Sequence, residues 1–321
     1  MSVELSVVRD DVTAVAADVL LLKHAQAHYG ADAVVADRLT RSGRLSEANL
    51  SPDDGSHVLV PSAGEIAAAN VLFVGVPGLR QFRYREIRQF ARRAIRALAD
   101  SRLPVQTLAT TVHGPGYGLD MEEAFRWLVA GFQQGLTAHS LPSLRRLMFA
   151  ERNPRRFEIL QELVADTELV MPSAPLATPT VVPAPALEPK RKQSVFVAMP
   201  FNDEFEDVYQ FGIYAAVRKC GYVCEKVDES VFTGPIVEQI TEGIKNSTFV
   251  VADLSLERPN VYLEVGYAWA LKKPVVLVAR EGQRLHFDLS HHKCLFYKNI
   301  TRLSAALEKT IQDMFGPGGE T

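Results

Sequence analysis

Short runs of Val, Leu, Ile and Phe alternate along this chain with segments whose apolar residues recur at helical spacing. Unbroken apolar runs predict strands that are buried on both faces, and the periodic segments predict amphipathic helices that cover them. The regular alternation of the two patterns therefore predicts an α/β fold built on parallel sheets.

The pattern gives two series of elements. The predicted strands of the N-terminal half are Glu4–Val8, Val19–Leu22, His57–Val60, Val71–Val76, Val105–Val112 and Arg146–Ala150. Its predicted helices are Tyr84–Ala99, Met121–Thr137 and Pro154–Leu163. The predicted strands of the C-terminal half are Val195–Met199, Tyr222–Val227, Thr248–Asp253, Pro274–Ala279 and Leu295–Tyr297. Its predicted helices are Glu204–Lys219, Pro235–Asn246, Asn260–Lys272 and Leu303–Met314.

A proline-rich segment separates the two series. Residues 171–193 read MPSAPLATPTVVPAPALEPKRKQ and contain six prolines among Ala, Thr and Val. Such a run cannot form a helix or a central strand, so it predicts an extended spacer. The expected organisation is a domain at residues 1–170, a linker at 171–193 and a second domain at 194–321.

Composition excludes several classes of protein. The chain has 321 residues, 47% hydrophobic and 23% charged, which fits a globular protein of two domains. Its formal charge of −3 argues against nucleic-acid binding, and no apolar run is long enough for a membrane span. Three cysteines make no disulfide framework, and the Cys220-x3-Cys224 pair is a poor metal signal. The start of the sequence lacks the features of a signal peptide, so we expect a cytoplasmic location.

Three loops of the C-terminal half are expected to meet, because ligands in an open parallel sheet bind beyond the carboxyl ends of its strands. They are Pro200–Asn202, Asp228–Gly234 and Asp253–Asn260. Gly234 precedes a helix that begins with proline, and a helix N-terminus reached through a small loop favours phosphate. An ordinary helix cap explains the same residues.

Glu264 is the candidate catalytic residue of the third loop. Asp253 ends a buried strand, Asn260 lies at the expected start of the next helix, and Glu264 follows four residues later on the same face. A carboxylate in the first turns of a helix also complements the helix dipole, so the pattern alone leaves a structural role open.

Longer runs around these residues resemble a known superfamily. They are VFVAMPFNDEF, PIVEQITEGIKNSTFVVADLS and RPNVYLEVGYAWALKKPVV, with LHFDLSHHKCLFY near the end. They are similar to nucleoside 2-deoxyribosyltransferases and Toll/interleukin-1 receptor (TIR)-like domains, which implies a flavodoxin-like parallel sheet. The resemblance implies that Glu264 acts at ribose C1′ of a nucleoside or of NAD. The substrate-binding residues it suggests are Met199, Pro200, Phe201, Asp228, Gly234, Asp253, Asn260 and Asp288.

Two positions depart from the pattern of these relatives. Deoxyribosyltransferases carry an acid six residues before the glutamate, where this chain has Arg258. NAD-hydrolysing TIR domains often carry Trp-x-x-x-Glu, where this chain has Asn260. Hydrolysis, binding without turnover, and a salvage reaction on nucleosides therefore remain alternatives.

The N-terminal half offers one candidate ligand loop. His113, Gly114, Gly116 and Gly118 follow a predicted strand, and their small size would let backbone approach a ligand, although a tight structural turn explains them as well. The segments ANVLFVGV, RAIRAL and MEEAFRWLVAGFQQGL resemble a macro-domain-like fold of the leucine aminopeptidase N-terminal type. This resemblance suggests a sensor domain for a nucleotide or a protein signal.

Together these features predict an NAD or nucleotide N-glycosidic bond hydrolase that acts as a bacterial defence or signalling effector. NAD would be a substrate, and no cofactor or metal is expected. The expected partners are a small nucleotide and further copies of the chain.

Overall fold

The computed structural model describes residues 2–79, 81–170, 192–200, 203–226, 236–283, 285 and 291–319. The chain forms two compact units. The first comprises Met1–Gly114 and Met121–Pro189, and the second comprises Pro115–Asp120 and Lys190–Thr321. Residues 171–191 of the predicted linker lie outside the described residues. The division into domains at 1–170, 171–193 and 194–321 stays a prediction.

The first unit is built on a seven-stranded sheet. Its strands are β1 Ser2–Val8, β2 Val19–His24, β3 His57–Pro61, β4 Asn70–Gly75, β5 Thr107–Thr110, β6 Arg146–Ala150 and β7 Leu169–Val170. They lie in the order β3-β4-β2-β5-β6-β1-β7. The five central strands are parallel, and the edge strands β3 and β7 are antiparallel to their neighbours.

Four helices pack on this sheet: α1 Ala31–Thr40, α2 Tyr84–Ser101, α3 Met121–Ala138 and α4 Pro154–Ala165. α2 follows its sequence pattern, because Ile87, Phe90 and Leu98 are fully buried. At the contact of α2 with α3, a side chain at Gly131 would lie 2.3 Å from the carbonyl oxygen of Arg88. Only glycine permits so close an approach of the two helices.

The second unit is built on a five-stranded sheet in which every pairing is parallel. Its strands are β8 Ser194–Ala198, β9 Val223–Glu225, β10 Phe249–Asp253, β11 Val275–Arg280 and β12 Cys294–Tyr297. They lie in the order β12-β11-β10-β8-β9. The α/β class with parallel sheets, predicted from the sequence, is therefore confirmed.

Helices cover both faces of the second sheet. They are α5 Asp203–Asp207, which continues through π-helical turns at Val208–Tyr214 into α6 Ala215–Lys219, and then α7 Ile236–Asn246, α8 Pro259–Ala270 and α9 Ile300–Phe315. The predicted helix Glu204–Lys219 is thus one continuous helical stretch with a wider middle turn. α9 begins where Asn299 Oδ1 accepts a hydrogen bond from the Arg302 backbone N–H.

Alternation along each strand divides the core of the second unit into two layers. Phe196, Ala252 and Leu277 face the layer that contains α7 and α8. Val197, Val251 and Val278 face the opposite layer, which contains α5, α6 and α9. The two layers are named here the α8 layer and the α9 layer.

The sequence pattern missed α1 and β7. α1 carries Asp32 on its buried side, so its apolar spacing is broken where a regular amphipathic helix would be continuous. β7 has two residues, which are too few for an alternating pattern. In the part of the chain that the structure describes, no helix has the length and apolar character needed to cross a membrane.

Two glycines on neighbouring helices give a test of packing. A Cβ at Gly243 on α7 would lie 2.7 Å from Cδ2 of Phe196, whereas a Cβ at Gly266 on α8 would meet nothing within 4 Å. We expect Gly243→Ala to lower the free energy of unfolding of the second unit by about 1–3 kcal/mol. Gly266→Ala should raise it by about 0.5–1 kcal/mol, because alanine loses less backbone entropy in a helix.

Denaturant unfolding followed by tryptophan fluorescence measures both changes. A Trp127→Phe background leaves Trp269 as the only tryptophan, so the signal reports the second unit. Equal effects of the two substitutions would contradict the close contact at Gly243.

Candidate functional site

The carboxyl ends of β8 and β10 lie side by side at the centre of the second sheet. β9 lies on the far side of β8, and β11 and β12 lie beyond β10, so the strand order changes direction between β8 and β10. Ligands of open parallel sheets bind outside the carboxyl ends at such a point. Residues 198–200 and 253–255 form this edge, which is called the switch-point edge below.

Glu264 is a buried carboxylate on the helix that leaves this edge. α8 starts at Pro259, and Glu264 lies in its second turn with only 5% of its surface exposed. Val261 and Val265 on either side of it pack into the α8 layer. Ligands of open parallel sheets bind at such an edge, and buried titratable groups there are candidate functional groups, so Glu264 stays a candidate.

The orientation of Glu264 follows from the helix spacing. Asn260, Glu264 and Tyr267 lie on successive turns along one flank of α8. Tyr267 interacts with the ammonium group of Lys245 on α7. The flank that carries Glu264 is therefore the one that faces α7.

Asn260 shares this flank but has a different position from the one predicted. Arg258 is the N-cap residue of α8, Pro259 is the first helical residue, and Asn260 follows it. The side chain of Asn260 is exposed, whereas that of Glu264 is buried. The two residues thus lie on one face of the helix at different depths.

Asp253 is enclosed in the α9 layer. Its Oδ1 accepts hydrogen bonds from the Ser255 backbone N–H at 2.9 Å and from Ser255 Oγ at 2.5 Å, and its Oδ2 accepts from Tyr297 Oη at 2.9 Å. The residue is 0% exposed. Strand alternation turns Asp253 to the same side as Val251, away from α8, and its predicted role in substrate binding stays a prediction.

Burial controls the protonation of this network. Burial raises the pKa of the Asp253 carboxyl above its ordinary value, although the hydrogen bonds from Ser255 and Tyr297 act in the opposite direction. Burial and the Asp253 charge also raise the pKa of Tyr297 well above its ordinary value. The hydrogen bond from Tyr297 to Asp253 links the end of β10 to the end of β12, two strands away.

Of the other predicted binding residues, two lie in the described part of the chain. Met199 packs in the core of the α9 layer, with 1% of its surface exposed, and Pro200 is buried beside it. Four lie outside the described residues: Phe201, Asp228, Gly234 and Asp288. Their roles stay predictions.

Two residues that the sequence did not single out complete the edge. Arg280 ends β11, and its guanidinium carbon lies 4.5 Å from the centre of the Phe205 ring in the helix after β8. Ser255 Oγ accepts a hydrogen bond from the Arg280 backbone N–H at 2.8 Å. The sequence signal that could have identified Arg280 is its position at the end of the buried strand VVLVAR.

A polar cluster lies at the strand ends of the first unit. Lys23 and His24 end β2, and Lys23 forms a buried ion pair with Asp32 of α1. The rings of His24 and His28 have centroids 4.7 Å apart, and Nδ1 of His24 lies 3.0 Å from the carbonyl oxygen of Pro52. His113, the predicted loop residue, is buried with its ring edge-on to Phe90. These residues are called the β2 cluster below.

Burial lowers the pKa of two histidines of the β2 cluster, His28 and His113. Burial, His24 and the Lys23 charge lower the pKa of His28 to about 4. Burial and the Lys23 charge also hold the pKa of His113 well below its ordinary value. Among the described residues, Nδ1 of His28, Nε2 of His113 and Oδ1 of Asp32 have no hydrogen-bond partner.

The glycines after His113 differ in what they require. Gly114 has φ 128° and Gly118 has φ 100°, values that side chains rarely allow, while Gly116 has no such angle. Two of the three glycines are therefore needed by the backbone itself. The predicted ligand-binding role of this loop stays a prediction.

Neither a metal cluster nor the one cavity described below lies at the switch-point edge in the part of the chain that the structure describes. Within the described ranges, no group of three or more His, Cys, Asp or Glu side chains is placed to hold a metal ion. A cavity of about 150 Å³ is lined by residues that include Trp269, His292 and Met314. Its lining includes Val275, the first residue of β11, and His292 and Lys293, which precede β12, so it lies toward the amino edge of the sheet.

Asp253 generates a pH-dependent prediction. Because its pKa is raised in the folded state, the wild type loses stability relative to Asp253→Asn as pH rises above the ordinary carboxyl range near 4. We expect Asp253→Asn to melt at the same or a higher temperature at pH 8 and the difference to shrink toward pH 4. Asp253→Leu should lose about 1–3 kcal/mol throughout, because Ser255 and Tyr297 lose their acceptor. A stability gap that widens as pH falls would contradict this account.

His28 generates the opposite prediction for the first unit. Its pKa of about 4 lies below the value near 6.5 of an unfolded histidine, so its contribution is complete above pH 6.5 and is lost as pH falls toward 4. We expect His28→Phe to make the acid loss of stability shallower. Trp127 fluorescence in a Trp269→Phe background reports it. His57→Phe, at an exposed position on β3, is the control and should leave the slope unchanged.

No family model matches the chain, and no curated protein matches it. Solved structures do show likeness. A Trypanosoma brucei macrodomain in complex with ADP is 16% identical, with a TM-score of 0.40, over 50% of this chain and 69% of that chain. An Oceanobacillus iheyensis macrodomain is 15% identical, with a TM-score of 0.38, over 51% of this chain and 95% of that chain.

A CMP N-glycosidase of Clostridium botulinum is 16% identical, with a TM-score of 0.30, over 37% of this chain and 99% of that chain. The chain is thus similar to these macrodomains and to this nucleotide N-glycosidase. All three TM-scores lie below 0.5.

Proposed function

We propose that the second unit cleaves the N-glycosidic bond of NAD or a related nucleotide, with Glu264 as the catalytic carboxylate. The observation that carries the proposal is the burial of Glu264 on the helix that leaves the switch-point edge. A carboxylate held at a ligand-binding edge and shielded from water is suited to stabilising a cation.

Cleavage of an N-glycosidic bond requires a group that stabilises positive charge, and one carboxylate can fill that role. As the bond between C1′ and the base nitrogen breaks, the electron pair leaves with the base and positive charge builds at C1′. The Glu264 carboxylate would stabilise that charge or bond to C1′, and water would then supply hydroxyl to C1′ and release a proton. Nicotinamide leaves NAD as a neutral molecule without being protonated, so cleavage of NAD would require no proton donor for the leaving group.

The first unit would regulate this activity by binding a nucleotide or a protein signal. The unpartnered polar atoms of the β2 cluster support a polar ligand there, since buried polar groups in proteins are nearly always hydrogen-bonded. Such a pairing would serve a signalling or defence effector, in which copies of the chain assemble to act.

A second candidate is a nucleotide-binding module without turnover. Arg258 and Asn260 favour it, because neither fits the pattern of the catalytic relatives that the sequence resembles. In that case Glu264→Gln would change nucleotide affinity alone.

Glu264→Gln tests the proposal. We expect the variant to lose NAD cleavage by at least about 100-fold, because the amide keeps the shape and removes the charge that stabilises C1′. Glu257→Gln is the matched control, since Glu257 is an exposed carboxylate of the preceding loop. The measurement is chromatographic release of nicotinamide and ADP-ribose, with and without a panel of nucleotides as activators. NAD left intact by the wild type under every condition, or cleaved equally by Glu264→Gln, would refute it.

A further inference from the structure

The cavity of about 150 Å³ toward the amino edge of the second sheet joins an apolar interior to a polar opening. Val276 and Leu277 of β11 line it and are buried. His292 and Lys293 line it as well, and both are exposed. Buried lining residues thus form the floor of the cavity, and exposed ones form its rim. It is called the amino-edge cavity below.

The size of the amino-edge cavity matches one aromatic ring. An apolar cavity of about 150 Å³ engineered into another protein binds benzene. The amino-edge cavity has a similar volume, and its apolar walls include Val275, Leu277 and Leu295. A ring placed there would exchange water for contact with these side chains, which is favourable in proportion to the apolar area that is buried.

One wall of the amino-edge cavity is aromatic. The rings of Trp269 and His292 are stacked, with centroids 4.3 Å apart and an angle of 27° between their planes. Both residues line the cavity, so the stacked pair presents ring surface to it. Aromatic rings gain from stacked and edge-to-face contacts beyond the area that they bury. A planar aromatic ligand therefore suits this wall better than a flexible aliphatic chain does.

The polar groups of the lining favour an anion. Lys293 contributes an ammonium group, which only donates hydrogen bonds, and Thr310 contributes a hydroxyl group, which can donate one. None of the nine lining residues that the structure describes is acidic. A carboxylate attached to the ring would accept these hydrogen bonds and pair with the ammonium charge.

We propose that the amino-edge cavity is a second ligand site, which binds a small aromatic carboxylate with its ring in the cavity and its carboxylate at Lys293. The inference does not rest on the proposed function, because the switch-point edge lies at the opposite ends of the strands. Trp269 belongs to the last turn of α8, so a bound ring would contact the helix that carries Glu264.

Benzoate is the probe, and Trp269 is the reporter because it lines the cavity. In the full-length Trp127→Phe chain, Trp269 is the only tryptophan. We expect benzoate to change its fluorescence in a saturable way, with a Kd of about 0.1–1 mM for so small a ligand. Benzamide keeps the ring without the charge and should bind about 3- to 10-fold more weakly. Acetate keeps the charge without the ring and should bind at least about 10-fold more weakly.

Two variants separate the roles of the charge and the cavity. Lys293→Gln should weaken benzoate about 3- to 10-fold and leave benzamide unchanged. Lys309→Gln is its matched control, since Lys309 is an exposed lysine of α9 that does not line the cavity. It should leave both affinities unchanged. Thr310→Phe would place a ring of the protein in the cavity and should abolish binding of both ligands.

Three results would overturn the inference. They are the lack of a saturable change up to about 20 mM benzoate, equal affinities for benzoate and benzamide, and benzoate binding that Thr310→Phe leaves intact. An equal loss of benzoate affinity in Lys293→Gln and Lys309→Gln would also overturn it, because it would show a general effect of charge. Lys293 is exposed, so its replacement tests the inference even where Thr310→Phe unfolds the chain.

Discussion

All five strands of the second sheet run in one direction, and the arrangement of the candidate site depends on that constraint. Parallel strands require a crossover after each strand, so every loop at a carboxyl end emerges at the same edge. The strand order changes direction between β8 and β10, so the helices that follow these two strands lie on opposite faces of the sheet. Glu264, Arg280 and Asp253 come from different strand–helix units, yet all three are placed at this edge.

Successive side chains of a strand point to opposite faces of the sheet, and this alternation decides which of these groups lie on the same face. Asp253 and Met199 point into the α9 layer with Val251, so they stabilise the edge from one side. Glu264 reaches the edge from the other side, because it belongs to a helix that covers the α8 layer. The candidate site is thus distributed across the thickness of the sheet.

Local sequence patterns predicted every strand except β7 and marked Glu264 as a candidate, but they gave no indication of the network around them. Strands of unbroken Val and Phe have a local signal, and a glutamate in an otherwise apolar helix is conspicuous. The link between Asp253 and Tyr297 joins residues 44 positions apart, which no local pattern indicates. α1 was missed because Asp32 interrupts its buried side, and its partner Lys23 ends an apolar strand that the pattern had already explained.

The hydrogen bond from Tyr297 to Asp253 also has a mechanical consequence. It connects the ends of β10 and β12 across the intervening β11. Arg280 ends the middle strand of the three, and its backbone N–H donates to Ser255 Oγ, which joins this strand end to the same network. A site whose charges are fixed in advance has little solvent or protein to rearrange when charge develops on a bound molecule, and this low reorganisation energy is what the buried carboxyl group of Asp253 would provide.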